Sequence, residues 1–132
     1  MLNHKLTLQI SELELAICRF PPDAPLPNWI GENSFSSVTR TSDELSIVCC
    51  EDRLPGNVEA ERNWRMIKIK GPFEFSLTGI LATLVTPLSD AGIPIFAIST
   101  YDTDYLLLKG EQLDRAIGIL EHTCIIENRL QN

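Results

Sequence analysis

Basic residues are in short supply: 11 Lys and Arg stand against 18 Asp and Glu, a formal charge of −7. Such a chain lacks the basic face that neutralises phosphates, so neither nucleic acid nor an anionic membrane surface is expected as a partner. Histidine is scarcer, with His4 and His122 far apart and neither at a metal-ligand spacing. Neither histidine sits in a nucleophile–base motif, and no H-E-x-x-H, P-loop or G-x-G-x-x-G occurs. Catalytic residues and a cofactor are not expected. No apolar stretch approaches the ~20 residues that span a bilayer, and MLNHKLTLQI lacks a signal peptide's apolar centre. The expected location is the cytoplasm. The cysteines Cys18, Cys49, Cys50 and Cys124 show no C-x-x-C spacing, which removes a zinc site and leaves buried, reduced thiols.

What the chain does have is apolar strand material. Hydrophobic residues make up 44% of 132, enough for one compact core or for two half-sized units that share one. A short strand is expected over residues 5–10, another over Leu13–Phe20, and a hairpin from Phe35–Thr41 and Leu45–Glu51 around the turn TSDE. Pro21, Pro22, Pro25 and Pro27 exclude a regular helix before about Asn28, leaving room for one turn anchored by a buried Trp29. Trp64–Lys70 alternates apolar and basic residues and reads as a strand with one wet face.

A second unit is expected from about residue 64 onward. Phe73–Leu77 reads as a strand and Thr78–Ala91 as a helix, with Leu77, Leu81, Leu84, Leu88 and Ala91 at helical spacing. Pro87 should kink that helix or end its regular part a turn early, and Gly92 suits the stop. Strands at Ile93–Thr100 and Tyr105–Lys109, a helix at Glu111–Glu121 and a strand from Cys124 complete strand–helix–strand–strand–helix–strand. The fold class is α+β, a ferredoxin-like βαββαβ arrangement. The first unit gives the same order with shrunken helices, so we expect a tandem duplication at a period near 60 residues, divided as 1–63 and 64–132. IPIFAI and YLLL are apolar on both strand faces, and uncovered patches of that size are rare in monomers. The halves are expected to pack together and the chain to form a homodimer.

Two segments stand out chemically. F-S-L-T-G-I, residues 75–80, joins a strand to a helix start, where unpaired N–H groups and a positive dipole end favour a carboxylate. Gly79 admits a ligand close to the backbone; the bland reading is a Thr78 cap and an eased turn. S-T-Y-D-T-D, residues 99–104, crowds two carboxylates, three hydroxyls and a phenol into a turn without the usual Asn-Gly; solvated turn chemistry is its bland reading. In the split βαβ topology both segments fall at one end of the sheet. Amides facing Asp104 would complement a zwitterion. Two carboxylates without a third acidic neighbour make a poor Mg²⁺ or Ca²⁺ cage, so no metal is expected.

F-S-L-T-G-I-L-A and I-F-A-I-S-T-Y-D-T-D-Y-L-L-L resemble the ACT domain of small bacterial ACT proteins and of CASTOR-type arginine sensors, specifically over about residues 64–126 and loosely over 1–63. The resemblance implies a regulatory module that binds an amino acid between two such domains, as in aspartate kinases. Leu77, Thr78, Gly79 and Ile80 would then contact the ligand's main-chain groups, and Thr100, Tyr101 and Asp104 its ammonium or side chain. The region of Ile95 would give backbone contacts from a partner domain. Spare negative charge at Asp102 and Asp104 favours arginine or lysine. The regulated protein would be a separate chain that the sequence does not identify. A structural dimerisation module with a vestigial pocket, and a small enzyme using Asp and Thr, remain open at this point.

Overall fold

The computed structural model describes residues 6–32, 34–70 and 79–128. They form two units, one made of the chain up to Glu12 together with Arg65 onward, the other of Leu13–Trp64.

In the first of these, strands β1 (Leu6–Ile10), β6 (Phe96–Ser99), β7 (Asp104–Lys109) and β8 (Cys124–Asn128) join residues 65–69 of β5 (Ala60–Ile69). Their order is β8-β1-β5-β7-β6. β1 runs parallel to β8 and antiparallel to β5, with Leu8 opposite Ile69 and Ile10 opposite Ile67. Side chains two apart on a strand share a face, so Leu8, Ile10, Ile67, Ile69, Leu106, Leu108 and Cys124 gather on one side. Helix α1 (Ile80–Asp90) covers them with Leu84 and Leu88, and helix α2 (Leu113–Leu120) with Leu113, Ala116 and Leu120. Leu107, on the opposite face, is also buried, as the doubly apolar YLLL run suggests. The Arg115 guanidinium of α2 donates to the Ala91 carbonyl at the end of α1, a favourable place for positive charge.

α1 runs through Pro87 to Asp90, past the point where the proline was expected to end its regular part. Pro87 deprives the helix of one N–H, but the C-terminal turn is independently closed. Gly92 sits at φ +77°, its N–H meets the Ser89 carbonyl at 2.9 Å, and the Ile93 N–H meets the Leu88 carbonyl at 3.0 Å. This is a Schellman ending, and its two apolar residues, Leu88 and Ile93, are both buried. The strand expected at Phe73–Leu77 lies outside the described residues.

The unit Leu13–Trp64 holds β2 (Leu15–Phe20), β3 (Ser36–Arg40), β4 (Leu45–Cys50) and residues 60–64 of β5, in the order β3-β4-β2-β5. This is the split βαβ order, with single 3-10 turns at Asn28–Ile30 and Glu51–Arg53 where helices would stand. Ala16, Cys18, Leu45, Ile47, Cys49 and Leu54 form its core. Phe20 at the end of β2, Trp29 and Ile30 of the first 3-10 turn, and the loop residues Ala24 and Val58 cover it, each only partly buried, Trp29 included. Burial pushes the Cys18 thiol up, and that of Cys49 to about 11. β5 bulges where it pairs with β2, the register shifting between Leu15 and Ile17. Asn63 adopts φ +68° there, and its N–H donates to Glu51 Oε1 at 3.0 Å.

The chain leaves the helical unit after β1 and returns along β5. At that point the Ser11 N–H donates to the Met66 carbonyl at 3.1 Å, and the Arg65 guanidinium donates to the Ser11 carbonyl at 2.6 Å.

Candidate functional site

The turn between β6 and β7 is built from threonines. The strands are antiparallel with Ser99 opposite Asp104. The Thr100 N–H donates to the Thr103 carbonyl at 2.8 Å, and the Thr103 N–H donates to Thr100 Oγ1 at 3.3 Å. The Thr100 hydroxyl also reaches the Thr103 carbonyl, at 3.2 Å. A short hydroxyl side chain thus does the closing that Asn-Gly does elsewhere, leaving Tyr101 and Asp102 exposed at the tip.

Two further side chains fix the turn. The Ser99 hydroxyl donates to Asp104 Oδ1. The Thr103 hydroxyl, 5% exposed, donates to the carbonyl of Ile69, the last residue of β5. Asp104 is half-buried. It shares a strand face with Leu106 and Leu108, which the helices cover.

α1 begins at Gly79, whose φ of +79° suits glycine. Among the described residues no atom lies within 4 Å of where a Cβ would stand there. The Gly79 carbonyl accepts from the Thr83 N–H at 2.9 Å and from the Thr83 hydroxyl at 2.8 Å. Among the described residues no side chain caps this end and no acidic residue sits in its first turn, where the helix dipole is positive. The Thr103–Ile69 bond places the 100–103 turn at the exit of β5; the chain from there to Gly79 runs through residues 71–78, outside the described residues.

Gly79 is the residue before the helix, and Ile80 is its half-buried first residue. Thr100, Tyr101 and Asp104 share the hairpin. Ile95 precedes β6 and packs at the margin of the core; four residues from Ser99, it stands roughly 13 Å away along the strand at ~3.3 Å per residue. Leu77 and Thr78 lie outside the described residues. Ser99 and Thr103 bond to Asp104 and β5, roles the sequence did not assign them. The signal available was the Ser-Thr-x-x-Thr-Asp spacing, which sets Ser99 opposite Asp104 once the turn is two residues long. No group of three or more His, Cys, Asp or Glu that could hold a metal occurs among the described residues. No helix among them is long and apolar enough to cross a membrane.

Residues 59–122 match the family model of the ACT domain, and residues 14–57 match a separate model for an amino-terminal domain. The human cytosolic arginine sensor for mTORC1 subunit 1 is 36% identical over 59 residues, 44% of this chain and 18% of that protein. The chain spans less than two thirds of the length of the curated relatives it matches. A crystal structure of a protein from Agrobacterium tumefaciens is 35% identical with a TM-score of 0.91, covering 98% of this chain and 97% of the other. The regulatory subunit of aspartate kinase from Thermus thermophilus shares the fold at 11% identity and a TM-score of 0.59, covering 86% and 95% of the two chains.

Proposed function

The chain is an ACT-domain protein, and from that premise we propose that it is a non-catalytic regulatory protein that senses an amino acid. The observation that carries this reading is the Asp104–Ser99 pair, held at the end of the sheet where β5 exits. A free amino acid is a carboxylate and an ammonium a few ångströms apart. The amides at Gly79 and Ile80, with Leu77 and Thr78 before them, would receive the carboxylate. Asp104 would receive an ammonium or a cationic side chain through Oδ2, since Ser99 occupies Oδ1, with Thr100 and Tyr101 beside it. The two acidic groups of the turn favour arginine or lysine, and the likeness to a cytosolic arginine sensor supports the same choice and a cytosolic setting.

Ile95, at the far end of β6, would serve a neighbouring copy's ligand rather than its own, which fits a homodimer with sites at ACT–ACT interfaces. Binding would favour one arrangement of that interface, and the differential affinity would carry the signal to a separate partner protein. A second reading, a dimerisation module whose pocket is vestigial, draws on the same pair, because a carboxylate already bonded to Ser99 has less need of a ligand.

Thermal unfolding against the twenty amino acids separates the two readings. Sensing requires that one of them, arginine or lysine first, raises Tm, with about 2.7 kcal/mol of stabilisation at a hundred times Kd. That gain should vanish in Asp104→Ala. A folded dimer whose Tm responds to no amino acid overturns the sensing reading.

A further inference from the structure

The turn Thr41–Glu44 of the helix-poor unit is closed by the same bonds as Thr100–Thr103. The Thr41 N–H donates to the Glu44 carbonyl at 2.9 Å, and the Glu44 N–H donates to Thr41 Oγ1 at 3.2 Å. Closing the hairpin therefore needs only the first threonine and the backbone. What the second turn adds is at its last position. Glu44 is exposed, whereas Thr103 is one of two buried polar side chains among the described residues, the other being Ser11.

We propose that Thr103 is a positioning residue of the amino-acid site, its buried hydroxyl pinning the 99–104 hairpin to the Ile69 carbonyl and so fixing where Asp104 presents its carboxylate. The inference rests on the sensing reading above. All three polar groups of Thr103 are committed: the N–H and C=O to Thr100, the hydroxyl to β5. A buried hydroxyl is held to its acceptor because no water replaces the bond, so the hairpin tip cannot shift without breaking the Thr103–Ile69 bond. Asp104 is the next residue, and Ser99 ties its Oδ1 from the opposite strand. Together they set the carboxylate's position and orientation before any ligand arrives, which lowers the ordering cost of binding. Thr103 does not itself touch the ligand in this scheme. Its methyl fills space and its hydroxyl sets the register.

The test compares Thr103→Val, which keeps the shape and loses the donor, with Thr103→Ser, which keeps the donor. Arginine and lysine titrations by calorimetry should show at least tenfold weaker binding in Thr103→Val and binding within threefold of wild type in Thr103→Ser. Amide exchange in the ligand-free protein should rise at least tenfold at Thr100 in Thr103→Val alone, with Glu121 at the end of α2 unchanged as the control for global loosening. Wild-type affinity in Thr103→Val overturns the proposal, as does equal weakening in Thr103→Ser. If wild-type protein binds no amino acid, the sensing reading fails by itself. Exchange at Thr100 then decides the pinning: a rise in Thr103→Val upholds it, and no change overturns it.

Discussion

With β1 set aside, which lies between β5 and β8, the two units order their strands alike, yet one is roofed by helices and the other mainly by loop. Over the helical unit, Leu84, Leu88, Leu113, Ala116 and Leu120 are buried against the sheet. Over the other, Trp29, Ile30, Phe20 and Val58 do the covering while partly exposed. The central hairpin of each unit is closed by the same chemistry, from Thr41 in one and Thr100 in the other. Strand order and turn chemistry are thus separable from the roof. Four prolines between residues 21 and 27 exclude a helix, and a proline-stiffened loop, with less freedom to lose on folding, takes its place. The polar pair Ser99–Asp104 has no counterpart of like chemistry in the helix-poor unit, where Arg40 and Leu45 occupy the matching register.

Four experiments press on that contrast. The largest effect is expected from Leu84→Ala, which empties a fully buried position under α1 and should cost about 2–5 kcal/mol in denaturant unfolding. Trp29→Ala, removing a half-buried roof residue, should cost clearly less despite its larger volume, and equal costs would erase the distinction between roofs. Gly92→Ala puts a side chain at φ +77° and should cost about 1–2 kcal/mol. Gly31, at φ −68° with open space around it, should tolerate alanine with little change in Tm.

Thr41→Val and Thr100→Val each remove the hydroxyl that closes a turn and should each cost about 1 kcal/mol. A marked inequality would mean that the turns are not equivalent. The smallest effect at neutral pH concerns Cys49, fully buried in the helix-poor unit. Its thiol is pushed up to about 11 from 9.0, mainly by burial. The protonated form is the one the native state prefers, so its contribution is complete below pH 9.0 and is lost as pH rises towards about 11. Native-state thiol labelling at pH 8 should spare Cys49, and Cys49→Ala should flatten the alkaline fall in stability.

Much of this fold is legible in period alone. β2, β4, β7 and α2 fall within a residue or two of their apolar patterns because each has a face that must be buried. α1 does not end early at Pro87, because a proline's cost is local, whereas the Schellman ending and buried Leu88 act together on the same turn. The site was half legible. Carboxylates and hydroxyls mark residues 99–104 by composition, but composition cannot tell which hydroxyl turns inward. Thr103 does, and only its pairing with Ile69, 34 positions away, shows it.

The paired Ser11 and Met66 make residues 13–64 an insertion with its two stems side by side. Evolution could add or remove such a block without rethreading the host, since the flanking strands already form a ladder that a tight loop could join. Excising it in the laboratory and bridging Glu12 to Arg65 with a few turn-forming residues would leave β1 and the second half of β5 as an ordinary hairpin. The helical unit of this chain is in that sense a protein with its middle, rather than one of its ends, left out.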